Sequence, residues 1–119
     1  MRYLLVLLVS LSTLVHASPL RDKMAENILP YLIAANSTTS ISERYEYTQS
    51  VIATIDYVDS VIVSSGTPKP EEKAEVDQVK KALKVCRNSA VRIWESTEDM
   101  RINGTSEINK CVTEIEKLK

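Results

Sequence analysis

The sequence predicts an all-α fold, a small bundle of about four helices behind a cleavable export signal, stapled by one disulfide. Three observations predict this fold. Apolar side chains recur every three or four residues through most of the 119-residue chain. Turn-forming residues interrupt that spacing at 36–40, 64–70 and 103–104. Two cysteines, Cys86 and Cys111, lie at apolar positions of the predicted helices.

Residues 1–17 have the order of a secretory signal peptide. Arg2 supplies a positive charge, residues 4–14 are mostly apolar, and Val15-His16-Ala17 resembles the cleavage site that signal peptidase recognises. A membrane-spanning helix needs about 20 apolar residues, so this stretch is too short for one. The alternatives are an uncleaved anchor or a buried helix. We expect cleavage after Ala17, which leaves one secreted, extracellular domain over 18–119.

The overall charge limits the classes of partner. The net charge of the whole chain is −1, whereas a nucleic-acid-binding face is usually strongly basic. The same balance argues against a cationic, membrane-lytic peptide. No later apolar stretch is long enough to cross a bilayer. We therefore predict no nucleic-acid partner, no integral membrane segment, and a monomer or dimer.

The first predicted helix covers 20–35, and Pro30 inside it is expected to kink or break it because proline removes a backbone donor. The second predicted helix follows a Ser-x-x-Glu capping box formed by Ser40 and Glu43. Its apolar face is broader than the stripe of an ordinary surface helix. We therefore expect it to be the central helix or the one that meets a partner. The β-branched run 51–63 also fits a strand, but less well.

Gly66 is predicted to end the second helix and Pro70 to open the third. The third helix carries a heptad seam formed by Val76, Val79, Leu83, Cys86, Ala90, Ile93, Thr97 and Met100. The fourth predicted helix contains Cys111 and is expected to be capped by Thr105 or Ser106.

The two cysteines are predicted to form a bridge, because disulfides persist in the compartments that receive exported proteins. Free thiols or a bridge to a second chain are the alternatives. A third helix that ran unbroken to a turn at Asn103 would leave Cys86 and Cys111 offset by roughly 13 Å, too far to bond. A bridge therefore predicts that the third helix ends near 96–97, with a turn centred at 98–99.

The sequence contains no catalytic or metal-binding motif, and we predict a non-enzyme with no cofactor. The only histidine, His16, lies in the signal, which removes the usual base for Ser or Cys nucleophiles. The carboxylate pairs Glu43/Glu46, Asp56/Asp59 and Glu98/Asp99 are typical of solvated surfaces.

Two sequons, Asn36-Ser37-Thr38 and Asn103-Gly104-Thr105, fall in predicted loops. N-glycosylation is therefore predicted at Asn36 and Asn103 if the source is eukaryotic.

A candidate interface lies on one flank of the third helix, where Lys80, Lys84 and Arg87 lead towards Trp94. This flank either meets an anionic partner or is a solvated surface whose lysines pair with acids such as Asp77. The single tryptophan either anchors an interface or covers the edge of the core.

These observations favour a small secreted, non-catalytic protein that binds an extracellular macromolecular partner. The alternative is an extracellular carrier of a small apolar ligand, since helical bundles enclose such ligands between helices. A large internal cavity would favour the carrier, and a filled core with an exposed apolar patch would favour the binding protein.

Overall fold

The computed structural model describes residues 17–95 and 104–118. Over these ranges the chain forms four helices and no strand, which confirms the predicted all-α fold. The helices are α1 (Ala17–Ser37), α2 (Ile41–Ser64), α3 (Lys73–Glu95) and α4 (Gly104–Glu116). The predicted signal lies almost wholly outside the described residues, so its cleavage stays a prediction.

Helix α1 buries a regular stripe and continues through its internal proline. The stripe consists of Leu20, Met24, Ile28, Leu32 and Ala35, which are all within 1% of complete burial. Pro30 is exposed on the opposite side, and the expected break there is wrong. The buried side chains before and after the proline pack into the same core, and this packing stabilises a helix that is continuous through the proline.

The turn between α1 and α2 confirms one half of the predicted capping box. The backbone amide of Glu43 donates to the Ser40 hydroxyl at 3.3 Å, which satisfies one of the free amides at the start of α2. The predicted return bond, from the Ser40 amide to Glu43, is replaced by a relay. The Ser40 amide donates to the Thr38 hydroxyl at 3.1 Å, and that hydroxyl donates to the Glu43 carboxylate at 2.8 Å.

The turn between α2 and α3 follows the sequence prediction at its start only. Gly66 has a φ of +83°, the left-handed conformation that favours glycine after a helix. Helix α3 then begins at Lys73 and not at Pro70. The amide of Glu72 donates to the carbonyl of Lys69 at 2.9 Å, so residues 70–72 form a tight turn ahead of the helix.

The four helices form an antiparallel ring in which α1 also packs across the diagonal against α3. At one end of the α1–α4 pair, Arg21 donates to the carbonyl of Leu118 at 3.4 Å. At the other end, Asn36 lies against Gly104. In the described part of the chain α2 contacts only α1 and α3. The expectation that α2 is the central helix is therefore wrong, since α1 and α3 each contact all three other helices.

The core is one continuous aliphatic cluster with the two cysteines inside it. Among the described residues no aromatic side chain is buried. The largest fully buried side chains are Leu20, Met24, Ile28, Leu32, Ile55, Leu83, Ile93, Ile115, Leu118, Val51 and Val58. Across the same ranges, no helix has the length and apolarity required to cross a membrane.

Helix α4 begins two or three residues earlier than predicted, at Gly104, so Thr105 and Ser106 lie in its first turn and do not precede it. Gly104 is buried, and a Cβ added there would overlap the carboxamide of Asn36. The absence of a side chain therefore allows the end of α1 to approach the start of α4.

Replacing Gly104 by alanine should destabilise the bundle by about 1 kcal/mol, the low end of the usual range for an extra carbon in a packed site, because the overlap is with the end of the Asn36 side chain and not with backbone. Urea unfolding of unglycosylated protein measures the change. The exposed neighbour provides a control, since Thr105→Ala should alter stability far less. Adding Asn36→Ala to Gly104→Ala should recover part of the loss. Equal stabilities for Gly104→Ala and the wild type would show that the close approach is not required.

Candidate functional site

The predicted disulfide is present and sets the level of α4 against α3. Cys86 and Cys111 are bonded, with both residues fully buried and their Cα atoms 4.6 Å apart. Cys86 lies nine residues before Glu95, and Cys111 lies seven residues after Gly104. The two cysteines are thus nearly level, as a bridge between antiparallel helices requires. The predicted turn at 98–99, together with Thr97 and Met100 of the seam, lies outside the described residues.

Two buried carboxylates of α4 lie on either side of this bridge. Glu107 accepts from Arg92 at 2.9 Å and from Lys110 at 3.3 Å. Its backbone carbonyl accepts from the Ser89 hydroxyl at 2.8 Å. Buried carboxylates are costly unless they are paired, and these donors pair Glu107 at the α3–α4 junction.

Glu114 has the second such network. Its carboxylate accepts from Lys117 at 2.9 Å and from Gln78 at 3.1 Å, and Lys81 lies 3.7 Å away. The hydrogen bond from Lys117, with smaller help from Gln78 and Lys81, lowers the pKa of Glu114 although burial opposes the shift. Neither Glu107 nor Glu114 was predicted from the sequence. Their seven-residue spacing beside the apolar seam of α4 is the signal that would have pointed to them.

The four predicted interface residues lie on one side of the bundle, where α3 runs beside α2. We call this surface the α2–α3 face. It consists of Ile41, Tyr45, Asp56, Asp59 and Val63 on α2, with Lys80, Lys84, Arg87 and Trp94 on α3. Helical spacing keeps the residues of each row on the same flank. The face is therefore built from two rows that run antiparallel.

Two direct contacts join the rows of the α2–α3 face. The rings of Tyr45 and Trp94 meet edge to face with centroids 5.0 Å apart, a favoured geometry for aromatic pairs. Further along, Arg87 donates to Asp56 at 3.2 Å. One base of the α3 flank, Arg87, is thus paired with an acid of α2. The predicted pairing with Asp77 is also present, and its basic partner is Lys73.

Asp59 is the poorly compensated charge of the face. Burial raises its pKa, the neighbouring Asp56 raises it further, and Arg87 and Lys80 offset part of the shift. Within the described ranges Asp59 has no ion pair within 4 Å, and neither does Lys84.

Large apolar side chains at both ends of the face remain in contact with solvent. Ile41 is 71% exposed and Tyr45 is 49% exposed at one end, and Val63 is 76% exposed at the other. Trp94 is half-buried, so it both touches Tyr45 and presents part of its ring outwards.

Of the two predicted glycosylation sites, the structure describes Asn36 and not Asn103. Asn36 lies in the last turn of α1 and not in the predicted loop, and it is half-buried against Gly104. Helix α1 continues two residues beyond the apolar stripe, to Ser37, and so takes in the start of that loop. Asn103 lies outside the described residues. Occupancy of either asparagine stays a prediction.

Among the described residues, no group of three or more His, Cys, Asp or Glu side chains is arranged to hold a metal ion. The Glu43 and Asp56 carboxylates are occupied by Thr38 and Arg87. The pair Glu98/Asp99 lies outside the described residues.

Comparison of the chain with protein-family models, with curated proteins and with solved structures gave no match.

Removing the bridge by replacing Cys86 and Cys111 together with alanine should lower the free energy of unfolding by roughly 3–4 kcal/mol. The bonded residues are 25 positions apart, and closing a loop of that length restricts the unfolded chain by about this amount. Urea unfolding under oxidising conditions measures the loss. The reduced wild type should show a loss of similar size, and an unchanged midpoint in both proteins would contradict the proposed contribution of the bridge.

Glu114→Gln and Asp59→Asn should change stability in opposite directions at neutral pH. The pKa of Glu114 is lowered below 4.5 in the folded state, so its ionised form stabilises the fold above that pH. That contribution is lost as the pH falls through the folded-state pKa. The pKa of Asp59 is raised above 3.8, so its ionised form costs stability until the pH falls through the raised value.

Urea unfolding at low protein concentration between pH 7 and pH 3 measures both effects. Glu114→Gln should be less stable than the wild type at pH 7 and should lose less stability on acidification. Asp59→Asn should be more stable than the wild type at pH 7, with the gap closing at acid pH. Shifts of the same sign at neutral pH would contradict this assignment.

Proposed function

We propose that this protein is a secreted, non-catalytic binding protein whose partner is an extracellular macromolecule. The observation that carries the proposal is the placement of its aromatic side chains at the surface. The five aromatic residues of the described chain are Tyr31, Tyr45, Tyr47, Tyr57 and Trp94, and each is at least partly exposed.

This placement is unusual for a small domain on energetic grounds. Burying an aromatic ring removes 150–250 Å² from water, more than most aliphatic side chains can. A domain of this size has little apolar surface to spare, yet its core uses only aliphatic side chains, Met24 and the two cysteines. Aromatic residues kept at a surface are the residues that most often dominate binding energy.

Four of these aromatic residues form two pairs near the same end of the bundle. Tyr31 and Tyr47 contact across α1 and α2, with ring centroids 6.4 Å apart. Tyr45 and Trp94 contact across α2 and α3. Contact with a neighbouring ring limits the freedom of each side chain, so less entropy is lost when a partner binds.

One further observation supports an extracellular location. The buried disulfide fits a compartment in which disulfides persist.

Transport of a small apolar ligand is the second candidate function. The aliphatic lining of the bundle favours it, because such a lining suits a ligand without polar groups. It does not account for the two surface aromatic pairs, and we therefore rank it below the binding protein.

A photo-reactive phenylalanine derivative at Tyr31 tests the binding surface directly. The secreted protein would be added to its producer cells and to their medium, irradiated, and analysed for adducts. We expect an adduct with a non-identical protein or glycoconjugate from the Tyr31 position. The same group at Glu116, an exposed residue at the far end of the bundle, is the control and should give none. Equal adducts from both positions, or none from Tyr31, would contradict the proposal.

A further inference from the structure

The α2–α3 face separates its charges by helix. Apart from the Lys73–Asp77 ion pair of α3, which is paired within its own helix, its acids, Asp56 and Asp59, lie on α2, and its bases, Lys80, Lys84 and Arg87, lie on α3. The two rows are level with each other, since Asp56 bonds Arg87 and Asp59 is influenced by both Arg87 and Lys80. The face therefore has an acidic half and a basic half side by side along the same length of the bundle.

This arrangement excludes a partner of one charge sign. An acidic partner laid along the face would meet the lysines but also Asp56 and Asp59, and a basic partner would meet the reverse conflict. Like charges placed opposite each other across an interface cost several kcal/mol. A complementary surface must carry bases opposite α2 and acids opposite α3, over the same length.

A second copy of the same face satisfies this requirement. Consider a rotation by 180° about an axis that lies between the two faces and runs parallel to the helices. It places α2 of each copy over α3 of the other, and every residue keeps its position along the helix direction. The acids of one copy then face the bases of its partner in both directions, as an isologous interface requires. The Tyr45–Trp94 pair of one copy meets the same pair of the other in reverse order.

We propose that the protein forms a homodimer through the α2–α3 face, with the twofold axis parallel to α2 and α3. Two observations beyond charge complementarity support this occupant. Asp59 and Lys84 have no ion-pair partner within the described chain, and each would face an opposite charge of the second copy. Ile41 and Val63, exposed at the ends of the face, would be covered together with Tyr45.

Dimerisation through the α2–α3 face would cover the Tyr45–Trp94 pair, so partner binding by the dimer would rest on the Tyr31–Tyr47 pair. That pair joins α1 to α2. Tyr47 follows Tyr45 by two residues, about 200° around the helix, so the Tyr31–Tyr47 pair lies on the other flank of α2 and stays outside the dimer interface. Failure of the dimer would leave the photo-cross-linking result at Tyr31 unaffected, and the reverse also holds.

Charge reversal followed by mixing tests the dimer. Asp59→Lys places like charges opposite each other in a homodimer of the variant, and Lys84→Asp does the same with the opposite sign. Each variant alone should dimerise about tenfold or more weakly than the wild type in sedimentation velocity. An equimolar mixture should form a heterodimer, because every reversed residue then faces an opposite charge. Contacts within one chain cannot produce this recovery.

The control for the charge change is Glu116→Lys on α4, which should dimerise as the wild type does. Circular dichroism checks that each variant remains folded. Trp94 is the only tryptophan, so its emission should move to longer wavelength as wild-type dimers separate on dilution. A wild type that stays monomeric at about 1 mM, or single variants that dimerise unchanged, would overturn the proposal. A mixture that stays monomeric would overturn the twofold arrangement.

Discussion

The bond between Cys86 and Cys111 is the constraint on which the remaining architecture depends. It fixes α3 and α4 at one relative level, and that level brings Arg92 of α3 to the buried Glu107 and Gln78 of α3 to the buried Glu114. Helix α1 then aligns with α4 through contacts at both of its ends, at Leu118 and at Gly104. Helix α2 has no contact with α4 among the described residues, so only α1 and α3 position it. Helix α2 buries the centre of its broad apolar face, and its position at the edge of this assembly leaves Ile41 and Tyr45 of that face exposed.

Much of the fold could be predicted from the spacing of apolar residues. The stripe of α1 and the first six seam residues of α3 are buried as expected, and Gly66 ends α2 in the predicted conformation. These features depend on local geometry, which sequence spacing records directly. The errors occur where distant parts of the chain compete with local preferences. Core packing on both sides of Pro30 stabilises α1 as one helix across the proline. In the capping box, the Thr38 hydroxyl bonds both the Ser40 amide and the Glu43 carboxylate, which were expected to bond each other.

The candidate surface could be predicted only in part. The basic flank of α3 and its approach to Trp94 follow from helical spacing alone. The partners of that flank do not, because Asp56 and Asp59 belong to another helix and their level depends on how α2 and α3 pack. The same limit applies to Tyr45, which the sequence places on an apolar face and the structure leaves half exposed beside Trp94. The contact between Asn36 and Gly104 joins residues 68 positions apart, and no local sequence pattern predicts it.

A small domain that keeps its aromatic residues outside an aliphatic core gives up stability that those rings could supply, and the disulfide offsets part of that loss. Native mass spectrometry of the unreduced protein, secreted from eukaryotic cells, tests this account most directly. A chain beginning at Ser18, lighter by two hydrogen atoms than the reduced form and free of any bound small molecule, is the predicted result. A passenger molecule that is lost only on collisional activation would contradict the binding-protein account and establish the carrier.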